Sequence, residues 1–129
     1  MREIKLKVVT ISNVDNCLIE ISEPMSVKKV GDYIAERIDK DCVERYEYIQ
    51  FTGLKDKNGK EIYEGDLLIF QGDRDAMFEV FYNDIYGKFS CCRTHYLGSR
   101  CGGYVPEIED KKFEIVGNIY ENQELLTNN

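Results

Sequence analysis

Apolar and charged residues alternate at the start of the chain, with Ile4, Leu6 and Val8 set between Glu3, Lys5 and Lys7. A period of two is that of a strand with one solvated face, so a strand is predicted over 2–10. A second apolar stretch, Cys17-Leu18-Ile19-Glu20-Ile21, follows Ser12-Asn13-Val14-Asp15-Asn16. Those residue types favour turns, and two strands so joined make a hairpin. Glu23-Pro24 ends it. From Ser26 the period lengthens, because Val27, Val30, Ile34 and Ile38 recur at three and four residues while Lys28, Lys29, Asp32, Glu36, Arg37 and Asp39 fall between them. This is the pattern of one amphipathic helix. Ser26 is placed to cap its first turn, and Gly31 weakens it by about 1 kcal/mol relative to alanine.

Alternation returns at Glu47-Tyr48-Ile49-Gln50-Phe51-Thr52 and runs into Gly53. The Asn58-Gly59 pair takes the positive φ angles that hairpin turns require, so the chain should reverse there. Glu64-Gly65-Asp66 is a further turn, and the unbroken Leu67-Leu68-Ile69-Phe70 reads as a strand buried on both faces or closing a barrel. Residues 77–82, 88–93 and 113–120 supply further strands, separated by turn signals. Short strands at such spacing point to a sandwich or small barrel. The expected class is therefore mainly β (α+β): a small barrel with an N-terminal β-hairpin and one amphipathic helix. No repeat or low-complexity tract divides the chain, so 1–129 is expected to form a single domain. Within it, 1–46 holds the hairpin and helix, 47–122 the barrel and 123–129 a polar tail.

Composition narrows the function classes. The chain has 129 residues, 43% of them hydrophobic and 12% aromatic, enough large side chains to build a core. Its apolar runs are far shorter than the ~20 residues of a membrane-spanning helix, and charges interrupt the N-terminal apolar residues, unlike a secretory h-region. The five cysteines, Cys17, Cys42, Cys91, Cys92 and Cys101, are odd in number and irregularly spaced. These features predict reduced thiols in a cytoplasmic protein without a membrane partner.

Seventeen Lys and Arg against 24 Asp and Glu give a net charge of −7, which disfavours generic clamping of nucleic acid. The charge is unevenly spread. Between Asp84 and Glu107, 22 residues contain no acid but carry Lys88, Arg93 and Arg100, so the rest of the chain stands at −10. Tyr86, Phe89, Tyr96 and Tyr104 interleave with these cations, and Gly98, Gly102 and Gly103 loosen the stretch. Aromatic faces stack bases while cations follow phosphates; the competing reading is aromatics in the core with cations at the rim.

Candidate catalytic groups are weaker. His95 is the only histidine, close in sequence to Cys91, Cys92 and Cys101. Adjacent strand residues face opposite ways, and no C-x-x-C pair is present, so a zinc site is disfavoured. A Cys91 or Cys101 nucleophile with His95 as base lacks an orienting third group. Asp73 with Asp75, and Glu107 with Glu109 and Asp110, lie in turn-like stretches where acids are ordinarily solvated. Ser99-Arg100-Cys101-Gly102-Gly103 lacks the spaced glycines and Lys-Ser/Thr of a phosphate loop. No catalytic residue, metal or cofactor is expected.

Three blocks resemble a known family. Phe51-Thr52-Gly53-Leu54-Lys55-Asp56-Lys57-Asn58-Gly59-Lys60-Glu61-Ile62-Tyr63-Glu64-Gly65-Asp66 strongly resembles the signature of the YopX family, small proteins of bacteriophages and of prophages of Gram-positive bacteria. Met1-Arg2-Glu3-Ile4-Lys5 resembles the family's opening, and Val116-Gly117-Asn118-Ile119-Tyr120-Glu121-Asn122 with Glu124-Leu125-Leu126 its closing motif. The chain departs from the pattern at Leu6-Lys7-Val8-Val9 and at Gln123. The resemblance implies a β-rich fold with an SH3-like barrel and a phage origin, and no established activity. Gly53, Gly59, Gly65 and Gly117 suit turns or bulges, as Asn58 and Asp66 suit turns. The signature therefore reads as mainly fold-specifying, with Lys55, Lys57, Tyr63 and Glu64 as its candidate contacts.

The leading expectation is a non-enzymatic phage or prophage accessory protein in the cytoplasm of a bacterial host. It would bind a host or phage protein through Lys88, Arg93, Tyr96, Arg100 and Tyr104, or, failing these, through the Asn58-Gly59 turn with Lys55, Lys57 and Lys60. Nucleic-acid binding by the stretch 86–104 is the alternative, and a cysteine- or metal-dependent hydrolase a weaker one. Self-association into a homo-oligomer through strand edges is also expected.

Overall fold

The computed structural model describes residues 4–37, 44–74, 76–93, 108–122 and 124. They form eight strands and one helix, a mainly β chain with an N-terminal hairpin and a single helix, as the hydrophobic pattern predicts. Contacts gather into two compact units, Met1–Phe51 and Thr52–Asn129.

In the first unit, β1 (Leu6–Ser12) pairs antiparallel with β2 (Leu18–Ile21) on one side and with β3 (Glu44–Lys55) on the other. The turn between β1 and β2 closes through Asn16 N–H donating to Ser12 O and Ser12 N–H donating to Cys17 O, both at 2.9 Å. The predicted single wet face of β1 is corrected. Val8, Val9, Thr10 and Ile11 are all buried, while Ile4 precedes the strand and is 53% exposed. Strand β1 is central in its sheet, and the unbroken run 8–11 replaces alternation where both faces are covered.

The helix α1 (Val27–Arg37) begins one residue after Ser26, whose Oγ accepts from Lys29 N–H at 3.4 Å. Val30 faces the interior and α1 packs on β1. Its other anchor is polar. The Tyr33 hydroxyl donates to Glu20 Oε1 at 2.6 Å, and the Arg37 guanidinium lies 4.1 Å over the Tyr33 ring and 3.5 Å from the same carboxylate.

The second unit contains β4 (Glu61–Tyr63), β5 (Asp66–Phe70), β6 (Met77–Asn83), β7 (Lys88–Arg93) and β8 (Phe113–Asn118). An antiparallel sheet runs in the order β7-β6-β5-β8. As the sequence predicts, Leu67, Leu68 and Ile69 of central β5 are buried. Ile62, Leu68, Val80, Phe89, Cys91, Ile108 and Phe113 form the core, with Phe113 against Phe70 and edge-on to Phe78. Strand β8 stops at Asn118 rather than Tyr120, because residues 119–121 turn away.

Candidate functional site

The block 51–66 is built of interlocking turns. Gly59 N–H donates to Asp56 O at 3.0 Å and Asp56 N–H to Lys60 O at 2.8 Å, closing the reversal that Asn58-Gly59 predicts. The Asp56 side chain is fully buried. Its Oδ1 accepts from the amides of Asn58 and Lys60, each at 2.9 Å, and its Oδ2 from Ile115 at 3.1 Å. Three N–H donors compensate the desolvation of one carboxylate. Asp110 Oδ1 accepts from Lys55 N–H at 3.0 Å, so this acid serves as a backbone acceptor.

The next turn is held by Asp66, whose Oδ2 accepts from Tyr63 N–H at 2.8 Å. Gly65, at φ +83°, donates to Val80 O and accepts from Ile119 N–H. A Cβ there would lie 3.2 Å from the Tyr120 ring, in a backbone region that already strains side chains. Gly117 is needed for a different reason. A Cβ on it would fall 2.5 Å from Asn122 Oδ1, the atom that accepts from Asn118 N–H. The signature and the closing motif are thus one structural unit. Among the candidate contacts, Tyr63 is corrected: it is 2% exposed and belongs to the interior. Lys57 is engaged with Glu114 at 3.3 Å, Lys55 is exposed and Glu64 is half-buried.

Among the described residues of the second unit, the most exposed large apolar pair stands at the tip between β6 and β7, where Ile85 is 86% and Tyr86 is 70% exposed. The tip has a defined shape. Buried Asn83 accepts from Ile85 N–H through its side chain at 3.1 Å and from Gly87 N–H through its carbonyl at 2.8 Å. Gly87 takes φ +64°, which lets the chain enter β7. Below the tip, Tyr82 packs edge-on to Phe89, ring centroids 5.2 Å apart. Sequence reasoning singled out Tyr86 and missed Ile85. The available signal was an apolar pair inside an Asn-Asp…Gly turn, where no core is within reach.

Of the predicted partner-binding residues, Lys88 and Arg93 are exposed at opposite ends of β7. They are five positions apart, which at ~3.3 Å per residue is roughly 16 Å, and an odd separation directs them to opposite faces. Tyr96, Arg100 and Tyr104 lie outside the described residues, as do His95, Cys42, Cys101, Asp75 and Glu107. Phe89 lies in the core, as the reading of this stretch with aromatics inside and cations at the rim has it.

Cys91 is buried, and burial pushes its thiol up to about 12, the opposite of what a nucleophile needs. Cys92 is disulfide-bonded, which corrects the reading of all five cysteines as reduced. Cys17 is free and exposed. Among the described residues no three His, Cys, Asp or Glu side chains gather in a way that could hold a metal. No helix among them is long and apolar enough to cross a membrane.

Comparison with known proteins agrees with this anatomy. No curated protein matches the chain. Among solved structures, the crystal structure of protein EF1440 from Enterococcus faecalis is similar over 98% of this chain and 99% of that one, with 24% identity and a TM-score of 0.52. At that identity the likeness carries the fold alone. A family model described as YopX protein matches residues 7–127, a span that holds both the 51–66 turns and the closing turn docked on them. The chain therefore belongs to the YopX family.

Proposed function

We propose that this chain is a non-enzymatic accessory protein of a phage or prophage, acting in the bacterial cytoplasm by binding a partner protein. On this reading the strands β3 to β8 serve as an SH3-like scaffold, and the β6–β7 tip is the contact. One observation carries the proposal: Ile85 and Tyr86 stand in solvent on a turn that a buried asparagine holds in shape. Exposed apolar side chains on a rigid element lose little entropy when they enter a groove, and tyrosine is a favoured anchor at interfaces. Burial of Cys91 weighs against the cysteine-hydrolase alternative.

A photo-crosslinking residue at position 86, compared with one at exposed Asp73, tests the reading. In host lysate, position 86 should give one stoichiometric protein adduct that is lost in Ile85→Ser, and position 73 should give none. Equal labelling at both positions, or an adduct indifferent to Ile85→Ser, overturns it. The nucleic-acid alternative draws on the same tip, since exposed Tyr86 and Lys88 are two residues apart. Binding of that kind falls steeply as salt rises.

A further inference from the structure

Strand β8 is last in its sheet, so one side of its backbone faces away from β5. Such an edge is a template for another strand. Here two of the outward groups are already used. Phe113 O accepts from Lys57 N–H at 2.8 Å, and two residues on Ile115 N–H donates to the Asp56 carboxylate at 3.1 Å. Residues 113 and 115 have the alternate spacing at which a strand presents its outward groups. The Lys57 ammonium, 3.3 Å from Glu114, ties the same turn to the residue between them. Behind it, Lys55 O accepts from Lys111 N–H at 2.8 Å, and Lys55 N–H donates to Asp110, so the turn is held from both ends of the approach to β8.

We propose that the 56–60 turn is an edge guard: it occupies in cis the position on β8 that a strand of a second copy would take in trans. The Lys57 amide and the Asp56 carboxylate stand where the N–H and C=O of an added strand would stand. A carboxylate serves better than a carbonyl from a third strand, because it also satisfies the amides of its own turn and extends no new edge. This gives the signature a purpose beyond the local reversal, for a hairpin turn alone needs Asn58-Gly59 but not a buried aspartate.

The test opens the guard without dismantling the turn. Lys57 occupies the second position of the reversal closed by Gly59 N–H and Asp56 O, where proline is favoured. Lys57→Pro therefore keeps the turn while deleting the amide and the ammonium that grip β8. The variant should remain folded by circular dichroism, and sedimentation should show self-association at least tenfold tighter than wild type. A folded Lys57→Pro that sediments as wild type does overturns the proposal. Amide exchange on the unmodified protein is an independent check. Ile115 N–H should be protected at every protein concentration, whereas fast exchange, or protection that rises with concentration, overturns the guard even if the variant does not fold.

Discussion

Asp56 concentrates more of the fold in one side chain than any other polar residue described, because its two oxygens take backbone donors from both the signature and β8. Asp56→Ala removes a buried acceptor from three amides; a hydrogen bond to a charged group contributes ~1.5 to 3 kcal/mol, and bonds sharing one side chain do not add in full. Urea unfolding should show a loss of about 3 kcal/mol with the slope unchanged. A loss below about 1 kcal/mol would mean that water replaces the carboxylate at all three positions. Cys91 makes a prediction of a different kind. Its thiol is held protonated up to about 12 against an ordinary value of 9.0. Below pH 9 the folded and unfolded chains both keep the proton and the full contribution is present. Above it the unfolded chain ionises first, so stability falls as pH rises from 9 towards 12. Tyr33, raised to about 12 from 10.0 by burial and by the Glu20 carboxylate, adds to the same alkaline loss. Cys91→Ala should flatten the slope between pH 9 and 10. A thiol reagent at pH 8 should modify Cys17 rapidly and Cys91 only after unfolding.

Among the elements, the most informative is the turn that ends β8. Asn122 folds back over Gly117, so its amide group fills the space that any side chain at 117 would need. Gly117→Ala should cost roughly 1 to 3 kcal/mol through overpacking. Asn122→Ala alone should cost about 1 kcal/mol for the lost acceptor. Thermal unfolding of both single variants and the double variant decides the cause. If the clash is responsible, the double variant is more stable than the sum of the two losses predicts. Strict additivity would place the cost elsewhere in β8. The β6–β7 tip follows the opposite logic, since Ile85 and Tyr86 are largely exposed and their replacement should leave stability unchanged while altering what the tip captures.

For the whole molecule, the governing quantity is a net charge of −7. The long-range field repels phosphate chains, and two cations at opposite ends of β7 do not form a continuous track. The protein should show no retention of single- or double-stranded DNA at ~150 mM salt, the physiological ionic strength at which screening shortens to about 8 Å. Retention at that salt would favour the nucleic-acid alternative over a protein partner.

Periodicity along the chain was enough for the hairpin, the helix from Ser26, the reversal at Asn58-Gly59 and the doubly buried β5, since each rests on local spacing, capping and turn chemistry. Glycine and asparagine in the signature were likewise legible as turn formers. The role of Asp56 was not, because its third donor, Ile115, lies 59 residues away in the chain. Neither was the burial of Tyr63 nor the second covered face of β1, for alternation records one face at a time and cannot count the layers that come to lie on a strand. Exposure at Ile85 was decided by the tertiary structure in the same way. Local pattern says that a residue is apolar, and only the packed chain determines whether anything is near enough to cover it.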